Sequence, residues 1–191
     1  MVLDAGHGGE DGGASSADGV LEKDLNLALA LTMRDILVAN GVNVILTRET
    51  DTLLYDRNVN FEGRKKKLDM AERIKITTDA SDPLFVSLHM NTYPNPSCKG
   101  LQVWYSENNV ASIELAKTIQ QSTQEILQHE NDRPVKQSGS GIYLLHKLEC
   151  PAVLVECGFL SNSAEAALLA DENYRQELAL TLCIGILRTI T

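Results

Sequence analysis

Short apolar runs with strand character alternate with helix-like segments along most of this chain. The strand-like runs cover residues 1–4, 42–46, 84–88, 100–105 and 151–156. Apolar residues recur at helical spacing over 22–40, 65–78, 111–128, 163–170 and 173–190. This alternation predicts an α/β fold of three layers, α/β/α, with a mostly parallel (mixed) central sheet of about six strands.

The length and the charge of the chain limit its function. A chain of 191 residues can bury a proper core and is most simply one domain, residues 1–191. The formal net charge of −9 argues against binding to nucleic acid, which needs clustered lysine and arginine. One short basic run, 64–67, is interpreted as the solvated face of a helix in preference to an anion-binding patch.

The sequence has no segment that would span a membrane. Its most apolar stretch, 178–187, is about half of the ~20 residues that a spanning helix needs. The chain begins inside a run that should be a buried core strand. We therefore expect that an upstream export segment is absent from this sequence and that the protein works outside the cytoplasm.

Acid and imidazole side chains occur where strands end and where a helix begins. His7 follows the first strand, His89 follows the run 84–88, Glu156 ends the run 151–156, and Glu22 opens the first helix. Ligands of open α/β sheets gather beyond the carboxyl ends of the strands. Two imidazoles and one carboxylate suit Zn²⁺ with a fourth position left for water, and a second carboxylate can serve as a base. The pattern predicts a zinc hydrolase site.

The two histidines also have plainer interpretations. His7 lies in a glycine-rich turn, 5–9, and could simply cap the following loop. That turn lacks the lysine of a P-loop and the GxGxxG order, so we interpret its glycines as bringing His7 close to a ligand. His89 could be a satisfied loop histidine, but Asn91 follows two residues later and suggests a substrate-binding amide on the same side. His129 and His146 have polar neighbours and are predicted to lie at the surface.

The two carboxylates differ in how strongly they point to chemistry. Glu22 could serve only the positive end of the helix that it begins. Glu156 ends an apolar strand, where a carboxylate is costly unless it is paired, metal-linked or functional. The alternative for Glu156 is a salt bridge to Arg73 or Arg57. Strand alternation directs Cys157 to the opposite face, away from the site.

Four sequence blocks together resemble one family. The blocks HGGEDGG (7–13), GVLEKDLNL (19–27), FVSLHMN (85–91) and VECGFLSN (155–162) are similar to the signature blocks of the zinc-dependent N-acetylmuramoyl-L-alanine amidases, the Amidase_3 family. The resemblance covers essentially the whole chain, in order. It implies that His7, Glu22 and His89 bind zinc and that Glu156 is the catalytic carboxylate. Ala5 and Cys157 depart from the usual pattern without touching these four side chains.

Two further segments resemble the spore-cortex branch of that family. The segments RKKKLDMAER (64–73) and LLADENY (168–174) are most like the germination-specific amidases of the CwlD type. The resemblance implies cleavage of the amide between N-acetylmuramic acid and L-alanine of peptidoglycan, in preparation for muramic-δ-lactam formation. No wall-binding repeat is recognised in the chain, so targeting is expected to depend on another protein, which family analogy suggests is a spore-envelope lipoprotein.

The expected mechanism assigns each group a task. Zinc would polarise the amide carbonyl and acidify a bound water, and Glu156 would move the water proton to the departing amine. Asn91 and backbone donors near the glycine turn would orient the substrate. The polar segments 47–63 and 129–139 are predicted to rim the cleft. The alternatives are a zinc peptidase acting on free cell-wall peptides and, from another class, an inert wall-binding module.

Overall fold

The computed structural model describes residues 1–56, 58 and 63–190, and its core is a six-stranded sheet. The strands are β1 (Val2–Ala5), β2 (Ile45–Leu46), β3 (Phe85–Asn91), β4 (Gln102–Tyr105), β5 (Lys136–Gln137) and β6 (Ala152–Phe159). The helices are α1 (Glu22–Ala39), α2 (Lys65–Asp79), α3 (Ala111–Ile126), α4 (Tyr143–Lys147), α5 (Ser163–Ala170) and α6 (Glu172–Ile190).

The sheet is mixed and mostly parallel, as the sequence predicts. Its strand order is β2-β1-β3-β6-β4-β5, and only the β4–β6 pair is antiparallel among the described strands. The carboxyl ends of β1, β3 and β6 therefore meet at one edge. In the β3–β6 register, His89 lies directly opposite Glu156. Two residues far apart in the sequence thus become neighbours through strand pairing alone.

Alternation along the strands divides the core into two layers. Leu3, Val86 and Val155 pack with α1, α3 and α6 on one face of the sheet. Their neighbours Phe85 and Leu154 pack with α2 and α4 on the other face. This arrangement confirms the three-layer architecture. His89 and Glu156 are an even number of residues from Phe85 and Leu154, so their side chains lie on the face of the sheet that packs with α2 and α4.

The boundaries differ from the sequence predictions in a few places. The second strand, predicted over 42–46, is reduced to Ile45–Leu46, and the predicted loop 129–139 contains the short strand Lys136–Gln137. Both are two-residue strands whose side chains are exposed or half-buried, so no apolar pattern marks them. Helix α1 ends at Ala39 and is capped by Asn40, and Gly41 follows with φ of 82°, so the predicted glycine stop is confirmed. No helix in the described ranges is long and apolar enough to cross a bilayer.

A glycine sets the approach of α6 to α3. A Cβ at Gly185 would lie 2.6 Å from the Cα of Ile119 and 3.0 Å from the carbonyl oxygen of Thr118. These are backbone atoms, which cannot move aside as a flexible side chain would. The close approach of the two helices therefore requires the absence of a side chain at this position.

We expect Gly185→Ala to destabilise the protein by roughly 1–3 kcal/mol, the usual cost of overpacking. Alanine favours helices over glycine by up to about 1 kcal/mol, which offsets only part of that cost. Thermal unfolding checks the prediction, with Gly139→Ala as the control because a Cβ there meets nothing within 4 Å. A melting temperature for Gly185→Ala at or above that of the unchanged protein would contradict the close-packing argument.

Candidate metal centre and active site

The turn after β1 brings His7 to the sheet edge through unusual backbone conformations. His7 itself has φ of 61°, in the left-handed region that non-glycine residues rarely adopt. Gly6 is needed for a different reason, because a Cβ there would lie 2.4 Å from the imidazole of His89. A Cβ at Gly13 would likewise lie 2.4 Å from Glu22 Oε2. The glycines thus make room for the side chains of the site.

His7, Glu22 and His89 converge on one point. Glu22 Oε1 lies 3.3 Å from His7 Nε2 and 2.8 Å from His89 Nδ1. The donor atoms of the three residues all lie within 4.8 Å of one another, and the two imidazole rings meet edge to face. Two imidazoles and a carboxylate are a donor set that suits zinc. The three side chains therefore form a candidate metal centre.

Glu22 is held far more tightly than a helix-start acid would need. Its Oε2 accepts a hydrogen bond from the backbone N–H of Ala14, and its Oε1 accepts one from Met90. The residue is 3% exposed. Burial acts to raise the pKa of Glu22, but the hydrogen bonds and charges of His7 and His89 outweigh it and hold that pKa below its usual value. Glu22 is therefore placed as an ionised carboxylate facing both imidazoles.

Glu156 lies beside this cluster in a different environment. Its Oε2 is buried and has no hydrogen-bond partner among the described residues. Burial raises the pKa of Glu156 to about 7; the nearby Glu22 carboxylate acts in the same direction, while His89 and His7 act to lower it. A carboxyl group whose pKa lies near neutrality can both accept and return a proton. The group has the character of an acid–base residue more than that of a structural ion.

Arg73 does not pair with Glu156, so the salt bridge to Arg73 suggested for the strand-end carboxylate is wrong. Arg73 instead pairs with Asp4 and Asp69. Arg57, the other suggested partner, lies outside the described residues. Cys157 is fully buried on the opposite face of the sheet, as predicted.

Two buried arginines hold the turn that carries His7. Arg73 donates from Nη2 to the carbonyl oxygen of His7 at 2.8 Å. Arg48 donates to the carbonyl oxygens of Ala5 at 2.9 Å and Gly6 at 3.0 Å. Sequence reasoning missed both arginines as supports of the site. The only signal was Asp4, an acid inside a strand predicted to be buried, which implies a cation close by.

Comparison with known proteins identifies the family. The family model for Amidase_3, N-acetylmuramoyl-L-alanine amidase, matches residues 1–188. The chain belongs to the Amidase_3 family. It is 38% identical to the germination-specific N-acetylmuramoyl-L-alanine amidase of Bacillus subtilis (strain 168), over 100% of this chain and 79% of that protein.

Solved structures of other amidases share the fold. The CwlD amidase from Clostridioides difficile, solved in complex with the GerS lipoprotein, is 39% identical and superimposes with a TM-score of 0.93, covering 99% of this chain and 96% of that one. The catalytic domain of CwlV, from Bacillus (Paenibacillus) polymyxa, is 28% identical with a TM-score of 0.80, covering 99% and 96%. These likenesses confirm the resemblance inferred from the sequence blocks, including the germination-specific branch.

The residues that line the cavity at this Amidase_3 site are not those that the sequence predicted to rim it. The cavity has a volume of about 260 Å³, and His7, His89 and Glu156 line it. No described residue of 47–63 or 129–139 lines it, whereas Lys66, Gly141, Ile142, Tyr143 and Leu144 do. Within 47–63, residues 57 and 59–62 lie outside the described residues. Asp51 of that segment accepts a hydrogen bond from Gly9 N at 2.7 Å, so it braces the glycine turn.

The other residues singled out from the sequence are not part of the His7, Glu22 and His89 cluster. Asn91 ends β3, and its Oδ1 accepts a hydrogen bond from the backbone N–H of Thr92 at 2.7 Å. It does not line the site cavity. His129 and His146 are exposed, as predicted. Lys66, taken from the sequence as part of a solvated run, lies 3.4 Å from Asp11, whose other carboxylate oxygen is 3.0 Å from His7 Nδ1.

Glycine at position 6 should be required for metal binding. Gly6→Ala drives a methyl group into the His89 imidazole, so the ring must turn away from the other donors. We expect metal affinity to fall roughly 10–100-fold, the scale seen when the support of a metal ligand is lost. Gly12→Ala is a matched control, because its Cβ would meet only Leu21 Cδ2 at an ordinary 3.7 Å. Titration with a divalent metal checks both variants; equal affinities would refute this role of Gly6.

Proposed function

We propose that this amidase hydrolyses the bond between N-acetylmuramic acid and L-alanine of peptidoglycan, with zinc held by His7, Glu22 and His89 and with Glu156 as the acid–base residue. The single observation that carries the proposal is the position of Glu156. It is a buried carboxyl group with an unpartnered oxygen and a pKa near 7, one strand away from a cluster of two imidazoles and a carboxylate. The family model, which spans residues 1–188, supports one catalytic domain over 1–191.

Zinc, when bound, supplies a Lewis acid that polarises the scissile carbonyl and lowers the pKa of water. Every other task belongs to the chain's own groups. Glu156 accepts the proton of the attacking water and returns it to the nitrogen of the departing L-alanine. Burial of Glu156 acts to raise its pKa, which favours a carboxyl group that can both take up and release a proton. Asn91 is proposed as a substrate-binding amide at the end of β3, from its place two residues beyond His89.

A spore-cortex role follows from the branch of the family. The relatives named above include a germination-specific amidase and a CwlD amidase solved with a lipoprotein. We therefore propose that the chain acts outside the cytoplasm in cortex maturation, on the route to muramic-δ-lactam. We further propose that an accessory spore-envelope lipoprotein is its partner. The chain's own acidity, with a net charge of −9, is compatible with a glycan held by shape and hydrogen bonds.

A zinc peptidase acting on free cell-wall peptides would use the same donor set. The two activities differ in their products. Incubation with intact muramoyl glycan should release whole peptide stems and leave the peptides themselves uncut. Cleavage within free peptides, with no release from glycan, would favour the peptidase. Inertness toward both substrates in the zinc-loaded protein would favour the wall-binding module.

The zinc assignment predicts one ion per chain and its loss when an imidazole is removed. His7→Ala and His89→Ala should each empty the site, because the two remaining protein ligands hold zinc poorly. Folding should barely change, since a sheet core of this size does not depend on a metal. His146→Ala, which removes an exposed histidine, is the control and should keep its zinc. Stoichiometric zinc in either ligand variant, measured by elemental analysis, would refute the assignment.

The role of Glu156 is tested by an isosteric change. Glu156→Gln keeps the size of the side chain but cannot accept the water proton. It should fold, bind zinc and lose turnover by about 10²–10⁴-fold, the usual share of general acid–base catalysis. Glu149→Gln, at an exposed position, is the matched control. Loss of zinc together with activity would make Glu156 a ligand, and a zinc-loaded variant with nearly unchanged rate would remove it from the mechanism.

A further inference from the structure

A second and larger cavity lies next to the catalytic one. It has a volume of about 1100 Å³, and Gln102 is among the residues that line it. Gln102 on β4 is directly opposite Glu156 on β6, and directly paired residues project from the same face of a sheet. A residue that lines the larger cavity and a residue that lines the catalytic cavity are therefore direct neighbours across the β4–β6 pair. The mechanism described above uses no residue of this larger cavity.

The separation is short enough for one substrate to enter both cavities. Neighbouring strands are about 4.8 Å apart. An extended peptide advances about 3.3–3.6 Å per residue. A peptide that runs from the scissile amide across β6 towards β4 would therefore place its second or third residue at β4, which contributes Gln102 to the larger cavity.

Arg133 is fixed in this cavity with part of its guanidinium free. Its Nε donates to the carbonyl oxygen of Lys99 at 2.8 Å, and its Nη1 donates to Gln102 Oε1 at 3.4 Å. The guanidinium carbon lies 4.9 Å from the ring centroid of Phe159. Within the described part of the chain, Nη2 makes no hydrogen bond and no carboxylate lies within ion-pair distance of Arg133. The side chain is thus an oriented cation without a carboxylate in direct contact among the described residues.

The acidic groups of the same cavity are already engaged or exposed. Glu165 accepts hydrogen bonds from the backbone N–H groups of Gly100 and Phe159, both at 2.8 Å. Glu130 is exposed and lies 3.7 Å from the ammonium group of Lys99. Asp132 also lines the cavity and is exposed. Burial raises the pKa of Glu165, one of these three acids, and the charge of Arg133 acts more weakly to lower it. None of the three forms an ion pair with Arg133 within 4.0 Å, so the arginine can receive an anionic group from a ligand.

The charges of the proposed substrate indicate which half of it, glycan or peptide, Arg133 would bind. In the muramoyl amide, the carboxyl group of the lactyl chain is consumed by the bond to alanine, so the glycan half carries no charge there. Free carboxylates lie on the peptide half. A planar guanidinium with an open edge matches a carboxylate in geometry as well as in charge.

We propose that the larger cavity binds the peptide half of the substrate and that Arg133 pairs with a carboxylate on its second or third residue. The inference rests on the proposed amidase function. It assigns Arg133 a role in specificity, separate from the bond-breaking groups at the end of β3 and β6. Because the contact is remote from the scissile bond, it binds ground state and transition state alike and acts mainly on KM.

The test uses two zinc-loaded assays that differ in one functional group. Muramoyl glycan oligomers carry peptides whose second residue is either glutamate with a free carboxylate or the matched amide. The full chain is compared with Arg133→Ala, with Arg133→Lys and with Arg34→Ala, a surface arginine that pairs with Asp35 and Glu49. Zinc content and melting temperature are measured for every variant.

The unchanged protein should favour the carboxylate substrate. Arg133→Ala should raise KM for that substrate about tenfold or more, the scale of a charge-assisted hydrogen bond, and leave the amide substrate unaffected. Arg133→Lys should restore part of the preference, since lysine keeps the charge but loses the planar fork. Arg34→Ala should behave as the unchanged protein on both substrates.

Two results would overturn this inference alone: equal kcat/KM of the unchanged protein on the two substrates, or an equal loss on both in Arg133→Ala. Hydrolysis of neither substrate by the zinc-loaded, folded protein would have a different meaning. It would overturn the proposed amidase function and, with it, the inference that depends on that function.

Discussion

The buried ion pair between Asp4 and Arg73 is the constraint on which the rest of the site depends. Asp4 is fully buried, and it also accepts hydrogen bonds from Ser87 Oγ at 2.6 Å and Thr47 Oγ1 at 2.7 Å. Burial acts to raise the pKa of Asp4, but Arg73 and these hydroxyl groups outweigh it and keep the pKa below its usual value. A buried charge is tolerated only when it is paired, so β1, β3 and α2 must meet here. Arg73 then reaches the carbonyl oxygen of His7 and fixes the turn.

Two carboxylates in one small site acquire opposite characters from their surroundings. Glu22 faces both imidazoles and two backbone N–H donors, which favour its charged form. Glu156 has a buried oxygen without a donor, so burial disfavours its charge and raises its pKa to about 7. Divergent pKa values of neighbouring carboxyl groups are typical of sites where one binds and the other transfers protons. The surroundings of Arg133 in the larger cavity also shape its properties. Neutral carbonyl, amide and ring groups hold this cation in place.

Much of this arrangement could be predicted because its signals are local. Short apolar runs marked β3 and β6, apolar residues at helical spacing marked α1 and α6, and the order of elements indicated the three layers. The residues His7, Glu22, His89 and Glu156 were found because each lies where a strand ends or a helix begins. The short strands β2 and β5 and the one-turn helix α4 were poorly predicted or missed. They are too short to carry a period, and pairing with neighbours rather than their own composition stabilises them.

The sequence by itself determined the fold class, the family and the four side chains at the expected site, because periodicity and motif residues are properties of the chain alone. Only the tertiary structure decided that Glu22 is buried between the two imidazoles, because that position depends on the packing of α1 against β3. It also decided that Arg73 hydrogen-bonds to the turn of His7 instead of pairing with Glu156, and that Gln102, which lines the larger cavity, lies opposite Glu156. These relations join residues that are distant in the sequence. They arise from strand order and register, which no local pattern specifies.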